Sequence, residues 1–384
     1  MWMAGYQKAG ERMTHTSTGE IQDFHLWDKL ISKRTPFSFD LEVTARCNND
    51  CRHCYINLPA GDMEARGREL SLGEITDIAS QAVKMGTVWC LLTGGEPLLR
   101  PDFAQIYMAL KRLGLLVSVF TNATAIQDEH IQLWKRYPPR DIEVTVYGVT
   151  QETYERVTRR AGSYENFRRG LDRLFAAGIR VRLKAMAIRS NLEEQPAIAR
   201  FCRQYTKDFF RFDPQLHLRY DGNAERNDEI RQERLSPAQI VALEQSDEQR
   251  MQVIAEHCRE LVNQELNHYG CNHLFHCGAG KGSFSVSYDG QFRLCSALWG
   301  PGTTADLRRV PLAEVWNNLV PQVRDWRSSR QEYLDTCRKC ALANLCLWCP
   351  AHAYLESGEL DGETPYFCAV AHARAAVIQQ NLPG

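Results

Sequence analysis

Phe39-Asp40-Leu41-Glu42-Val43-Thr44-Ala45-Arg46-Cys47-Asn48-Asn49-Asp50-Cys51-Arg52-His53-Cys54 joins an apolar run, Phe39 to Val43, to a loop spaced C-x3-C-x2-C. A loop this short can wrap one iron–sulfur cube and bind three of its irons through thiolates. The fourth iron is left without a protein ligand, so a small molecule can chelate it. A zinc knuckle and a disulfide pair are the competing readings. Zinc usually takes four ligands in two pairs, and apart from His53 no fourth Cys or His is suitably close in the chain.

Outward from this loop, strand-like apolar runs recur near 39–45, 87–92, 115–120, 142–147, 180–187 and 209–213. Amphipathic helical segments separate them. The first is announced by a capping box, Ser71 with Glu74, ahead of Ile75, Ile78, Ala79, Ala82 and Val83. Another begins near Ser163 and stops at Gly178. Six such units in series predict an α/β fold, a parallel sheet with helices outside, closed into a partial (β/α)6 TIM-like barrel. In such barrels the chemistry sits at the C-terminal ends of the strands. The three cysteines follow strand one, Gly94-Gly95-Glu96-Pro97 follows strand two, and Thr121-Asn122 ends strand three. Thr145 to Gly148 ends strand four, and Lys184 lies in strand five.

Residues 1–38 carry little periodicity and read as an N-terminal extension or lid, and 39–235 are the barrel core. Residues 214–235, charged and turn-rich, read as a connection. Residues 236–270 form a helical linker, with one helix starting at Ser236-Pro237 and a second over roughly 247–268. Residues 271–384 make a small cysteine-rich domain.

Lys+Arg 46 against Asp+Glu 47 points to neither nucleic acid nor a membrane as partner. A polar N-terminus and the lack of any bilayer-length apolar run predict a soluble, cytoplasmic protein. Thiols stay reduced in that compartment, so fourteen cysteines are not a disulfide framework. Cys90, Cys202 and Cys258 stand alone in apolar or helical contexts and read as core.

The late cysteines open with Cys271-x5-Cys277. Phe284, Val286 and Tyr288, then Phe292 and Leu294, alternate around Asp289-Gly290, which predicts a hairpin with a two-residue turn. Cys337-x2-Cys340-x5-Cys346-x2-Cys349 and Cys368 follow. Because C-x2-C pairs also bind zinc, two zinc sites are the competing reading here. Gly278-Ala279-Gly280-Lys281-Gly282-Ser283 lacks the spacing of a phosphate loop and leads into a strand, so no phosphate site is expected there.

The three-cysteine loop with His53 before its last thiol, the Gly94-Gly95-Glu96-Pro97 turn and the Thr121-Asn122 pair together resemble the radical S-adenosylmethionine (SAM) enzymes. The late cysteines look like a SPASM domain, the module that holds two auxiliary four-iron clusters in many of these enzymes. Cys277, Gly290 and Cys295 follow its C-x(9–15)-G-x4-C pattern, and the resemblance spans roughly residues 39–375. Two departures stand out. The last late spacing is x2 where relatives have x3, and Thr145-Val146-Tyr147-Gly148 replaces Ser-x-Asp-Gly.

The resemblance implies that the open iron chelates SAM, whose reductive cleavage yields a 5′-deoxyadenosyl radical that abstracts hydrogen from a substrate. It implies SAM and three [4Fe–4S] clusters as cofactors. Cys47, Cys51 and Cys54 would hold the SAM-binding cluster. Cys271, Cys277, Cys295 and Cys349 would hold the first auxiliary cluster, and Cys337, Cys340, Cys346 and Cys368 the second. Around SAM it places His53, Gly94 and Gly95 for close backbone approach, Glu96 accepting from the ammonium, Pro97, Thr121, Asn122, Thr145 at the ribose position, and Lys184. Tyr147, Lys184, Asp213 and Ser296 are the catalytic candidates.

Fully ligated auxiliary clusters imply electron relays, and relatives of that kind mostly modify peptides. The expected activity is therefore an oxidoreductase, a maturase of a ribosomally made peptide or a protein side chain. Its expected partners are that substrate, a separate peptide-binding chaperone protein, and an electron donor such as flavodoxin or ferredoxin. The alternative is a tetrapyrrole or other small-molecule precursor in cofactor biosynthesis. The sulfatase-maturing branch carries Asp directly after the hairpin Cys, where this chain has Ser296. An iron–sulfur or zinc scaffold without activity would have no need of the Gly94–Pro97 and Thr121-Asn122 motifs.

Overall fold

The computed structural model describes residues 30, 32–206, 210–252, 254, 272–346 and 348–380. Most of the expected N-terminal extension, much of the second linker helix, Cys258 and Cys271 lie outside these residues. Six strands pair in parallel in chain order: β1 (Ser38–Thr44), β2 (Trp89–Gly94), β3 (Leu116–Thr121), β4 (Ile142–Val146), β5 (Val181–Met186) and β6 (Arg211–Asp213). Between them run α1 (Leu72–Lys84), α2 (Phe103–Arg112), α3 (Asp128–Arg136), α4 (Gln151–Thr158), α5 (Ser163–Ala176) and α6 (Gln195–Tyr205).

Local chemistry accounts for these elements. The expected capping box opens α1: the Glu74 amide donates to Ser71 Oγ at 3.2 Å and the Ser71 amide to Glu74 Oε2 at 2.7 Å. Ile75, Ile78, Ala79 and Ala82 then repeat at helical spacing and are buried. In β5 the period is two. Val181, Leu183 and Ala185 are buried, while Arg182, Lys184 and Met186 alternate with them and keep some exposure. Cys90 and Cys202 are buried core residues, as expected.

The stretch 214–235 is more than a connection. It contains α7 (Ala224–Glu233), and α8 (Pro237–Gln245) follows. Only one of the three residues that α7 buries, Ile230, is apolar, so no hydrophobic stripe announces the helix. Polar ties hold it: Asn227 Oδ1 accepts from the Arg219 amide at 2.7 Å, and Glu233 Oε2 from the Ser190 amide at 2.9 Å.

The C-terminal hairpin, β7 (Ser283–Val286) and β8 (Gln291–Arg293), extends the barrel sheet rather than making one of its own. β7 runs parallel to β1, and β9 (Thr304–Asp306) completes the order β9-β8-β7-β1-β2-β3-β4-β5-β6. Phe39 stands opposite Phe284 with stacked rings 5.2 Å apart, and Arg293 Nη2 lies 2.7 Å from Glu42 Oε2 in a fully buried pair. The hairpin turn has three residues, not the expected two. Ser287 N donates to Gln291 O, and Gly290 takes φ +87°, a left-handed value that suits glycine.

Three further helices matter below: α9 (Leu312–Arg324), α10 (Pro350–Ser357) and α11 (Pro365–Gln380). α9 meets α1, where the Leu312 amide donates to Gln81 Oε1 at 2.8 Å. One buried cluster continues from the barrel strands into Trp316, Val320 and Val323 of α9. Among the described residues no helix is long and apolar enough to cross a membrane.

Candidate active site

The C-terminal ends of the six strands surround a cavity of about 520 Å³. Cys47, Cys51, His53, Cys54, Gly94, Gly95, Thr121, Asn122, Thr145, Tyr147, Lys184 and Asp213 all line it. Three of the residues expected around SAM or in catalysis do not. Glu96 and Pro97 are buried and do not reach the cavity lining. Ser296 lines a separate cavity of about 50 Å³ with Tyr55, His217 and Trp299, and its carbonyl accepts from Arg293 Nη1 at 2.6 Å.

Glu96 differs most from its expected part. Its carboxylate faces protein donors: Oε1 accepts from Thr121 Oγ1 at 2.8 Å and from the Leu98 amide at 3.1 Å, and Oε2 from the Asn122 amide at 2.8 Å. Burial nonetheless pushes the carboxyl up to about 7, and those hydrogen bonds pull it partly back. Glu96 therefore ties the turn after β2 to the turn after β3 and acts as a positioning residue.

The glycines also serve the chain itself. A Cβ on Gly94 would fall against the Thr44 carbonyl, and one on Gly95 against those of Ala45 and Arg46. The Gly95 amide donates to Thr44 O at 2.7 Å and the Glu96 amide to Arg46 O at 2.9 Å. The turn after β2 is thus laced onto the start of the cysteine loop. Asn122 Nδ2 continues the lacing, 2.9 Å from Asn48 Oδ1 and 3.7 Å from Cys47 Sγ.

The loop's outer side is held by arginines that sequence patterning does not flag. Arg219 Nη1 donates to the Cys54 and Asn57 carbonyls, Arg226 Nη2 to the Cys51 carbonyl, and Arg159 Nε to the Asp50 carbonyl. Loop carbonyls without helix or sheet partners need such donors. Inside, Tyr147 hydrogen-bonds the Cys51 thiol, and its own hydroxyl is driven far up by burial. Burial holds His53 down at about 4, so the ring is neutral, 5.2 Å from the Tyr147 ring. His53 Nδ1 and Asn49 Nδ2 are buried without hydrogen-bond partners.

Those orphaned polar atoms, facing three grouped thiols, suit a polar ligand bound over a cluster. Burial raises all three thiols, Cys47 to about 12, so an iron cluster's charge is needed to keep them as thiolates. Among the described residues no three metal-binding groups are already arranged around a single ion site. A cube spreads its ligands over separate irons and does not need that arrangement.

The opposite side of the cavity is ionic. Lys184 Nζ lies 2.6 Å from Glu143 Oε1 and 4.5 Å from the centre of the Phe120 ring, and Arg211 also reaches Glu143 at 3.3 Å. Glu143 and His217 line the same cavity, as do Arg250 and Arg374. None of these four follows from a motif. Glu143 alone had a signal, the alternation Glu143, Thr145, Tyr147 that puts all three on one face of β4.

The late thiols separate into two groups. Cys337, Cys340, Cys346 and Cys368 line one cavity of about 470 Å³ with Trp348 and His372. Cys349, at the start of α10, is not part of that lining and lies within electrostatic reach of Cys295 and Cys277. Burial raises its thiol to about 12. The x2 spacing thus directs Cys346 and Cys349 to different sites. Next to Cys349, the His352 ring lies 4.3 Å from that of His217.

Family models match the chain in two places: the radical SAM superfamily over residues 41–202 and an iron–sulfur cluster-binding (SPASM) domain over 277–341. An AdoMet-dependent heme synthase of Methanosarcina barkeri is 25% identical over 349 residues, 85% of this chain and 94% of that protein. The subtilosin biosynthesis protein AlbA of Bacillus subtilis is 23% identical over 327 residues, 82% of this chain and 67% of that protein. Streptococcus suis SuiB, solved with its precursor peptide SuiA, superposes with a TM-score of 0.66 at 15% identity, over 94% of this chain and 83% of that one.

Proposed function

For a chain that belongs to the radical SAM enzymes and carries a SPASM domain, we propose hydrogen abstraction from a ribosomally made peptide or protein side chain, followed by oxidative modification of that side chain. The observation that carries this reading is the cavity. At about 520 Å³ it is of the size that takes one drug-sized ligand, and SAM is such a ligand. A side chain entering from a longer peptide asks for less room beside SAM than a whole macrocycle does.

With SAM and the cluster bound, one-electron reduction would supply the radical that takes a hydrogen atom. The chain's own residues arrange the reactants. Cys47, Cys51 and Cys54 would hold the cube, with Asn122 and Tyr147 hydrogen-bonding the sulfurs of Cys47 and Cys51. His53 and Asn49 offer buried polar atoms to SAM. Gly94, Gly95, Pro97 and Glu96 fix the floor beneath it, with Thr121 and Asn122 bonded to that Glu. Thr145 is assigned to the ribose. Lys184, paired with Glu143, faces the substrate, as does Asp213. The two late thiol groups are assigned to two auxiliary [4Fe–4S] clusters, Cys271 joining Cys277, Cys295 and Cys349. A flavodoxin or ferredoxin is the proposed reductant.

A tetrapyrrole substrate is the second reading, favoured by the heme-synthase relative, which aligns over 85% of the chain. Two measurements decide. Anaerobic reconstitution should load about twelve irons per chain, by four per cube, with no zinc. About eight would remove the second auxiliary cluster and with it the case for full ligation. Iron coproporphyrin III should not accelerate release of 5′-deoxyadenosine from SAM. A clear acceleration would replace the peptide reading with the tetrapyrrole one.

A further inference from the structure

Arg250 and Arg374 come from the linker and from α11, far apart in sequence, yet both line the cavity and both meet Glu244 of α8. Arg374 clamps that carboxylate with Nε at 3.0 Å and Nη2 at 2.7 Å. Arg250 Nη2 reaches the same Oε1 at 3.2 Å, and its guanidinium sits 3.9 Å over the Phe212 ring in β6. Glu244 is 2% exposed, Arg250 16% and Arg374 11%. One buried negative charge thus serves two largely buried positive ones.

The donors are likewise in excess. A guanidinium offers five N–H bonds in a planar fork. Among the described residues Arg374 Nη1 and Arg250 Nη1 make no hydrogen bond, and Arg250 Nε is buried without a partner. A buried cation with idle donors is costly unless something completes it. The residual charge is a single positive one, which a monoanion neutralises, and the fork matches a carboxylate. The cysteine loop and the Gly94-Gly95 turn lie after β1 and β2. The arginine pair lies over β6, on the same wall as Met186, Asp213 and His217.

We propose that Arg250 and Arg374, bridged by Glu244, anchor a carboxylate of the substrate, so that this enzyme acts on a carboxylate-bearing molecule held by its acidic end while its reacting carbon reaches across to the cofactor. This rests on the cavity being the hydrogen-abstraction site. Such an anchor lowers the cost of positioning, because the substrate arrives already oriented. An acidic side chain or chain terminus of a peptide and a propionate of a tetrapyrrole share this chemistry.

The test uses the full chain, reconstituted anaerobically with SAM bound, and two matched probe pairs. One is coproporphyrin III against its tetramethyl ester, the other N-acetyl-tetraglutamate amide against its tetraglutamine counterpart. At least one acid should bind about tenfold or more tighter than its neutral twin. Arg250→Gln combined with Arg374→Gln should abolish that preference, and Arg309→Gln, at a largely exposed residue, should not. Which acid shows the preference tells the two sources apart. Equal binding of acid and neutral twin in both pairs, or a preference that survives the double substitution, overturns the proposal. If the double variant fails to fold, the single variants Arg250→Gln and Arg374→Gln carry the same comparison, and an undiminished preference in both overturns the proposal. Release of 5′-deoxyadenosine from SAM by the unaltered enzyme with dithionite tests the radical reading separately. Its absence would sink that reading, whatever the probes do.

Discussion

The side of the cavity proposed for the cofactor and the side proposed for the substrate are built on opposite principles. Around the cysteine loop most polar groups are spent on the protein, His53 Nδ1 and Asn49 Nδ2 excepted. Glu96 accepts three hydrogen bonds, Asn122 ties two turns together, and three arginines are committed to loop carbonyls. Across the cavity, over β5 and β6, charges are shared and donors are left over: Lys184 and Arg211 on one Glu143, Arg250 and Arg374 on one Glu244. The first arrangement suits a resident cluster. The second suits a molecule that arrives and leaves.

Perturbations on the proposed cofactor side should act through iron and SAM. The largest effect is expected from Cys54→Ala, which removes one cube's worth of iron and lowers 5′-deoxyadenosine release by roughly a hundredfold or more. Full iron content in that variant would break the assignment. Next comes Gly95→Ala. Its Cβ would press on the carbonyls of Ala45 and Arg46, and neither belongs to a flexible side chain that can give way. We expect a cost of about 2–3 kcal/mol in stability, with weaker SAM binding, measured by thermal melts and equilibrium dialysis. A fully stable variant would mean the turn and the loop are less tightly laced than described.

Glu96→Gln sharpens the comparison through pH. The folded carboxyl is raised from its ordinary 4.5 to about 7 by burial. The folded state therefore holds this proton more tightly than the unfolded chain does. The contribution to stability is full below about pH 4.5 and is lost as the pH rises through 7. In the cluster-free chain, unaltered protein should lose about 3 kcal/mol more than Glu96→Gln over that window. Parallel pH profiles in denaturant titrations would show that Glu96 is not the buried strut inferred here. The smallest effect is expected from Tyr147→Phe, which deletes the hydrogen bond to the Cys51 sulfur. Iron content should hold while the cluster's midpoint potential moves to a more negative value in an EPR-monitored titration. An unmoved potential would place the hydroxyl elsewhere in the loaded enzyme.

Much of the cofactor side was legible in the chain because its residues are close in sequence and chemically distinctive. Three thiols in one short loop need little tertiary help to be recognised, and period-two and period-3.6 patterns located all six barrel strands and α1. What escaped was long-range and polar. Arg219 and Arg226 reach back across more than 160 residues to the loop carbonyls, and no local pattern announces such a contact. The helix α7 escaped because polar ties hold it where an apolar stripe was expected.

The amino-acid sequence by itself determined the three-cysteine loop, the strand–helix rhythm and the spacing of the late cysteines, since spacing along a chain is a local property. Only the tertiary structure decided that the hairpin after Cys277 joins the barrel sheet at β1, because edge pairing depends on which backbone groups are left unpaired. It also decided that Glu96 faces protein donors rather than the cavity, and that Arg250 and Arg374 converge on one buried Glu244. Charges and hydrogen bonds act through distance in space, and folding alone sets that distance.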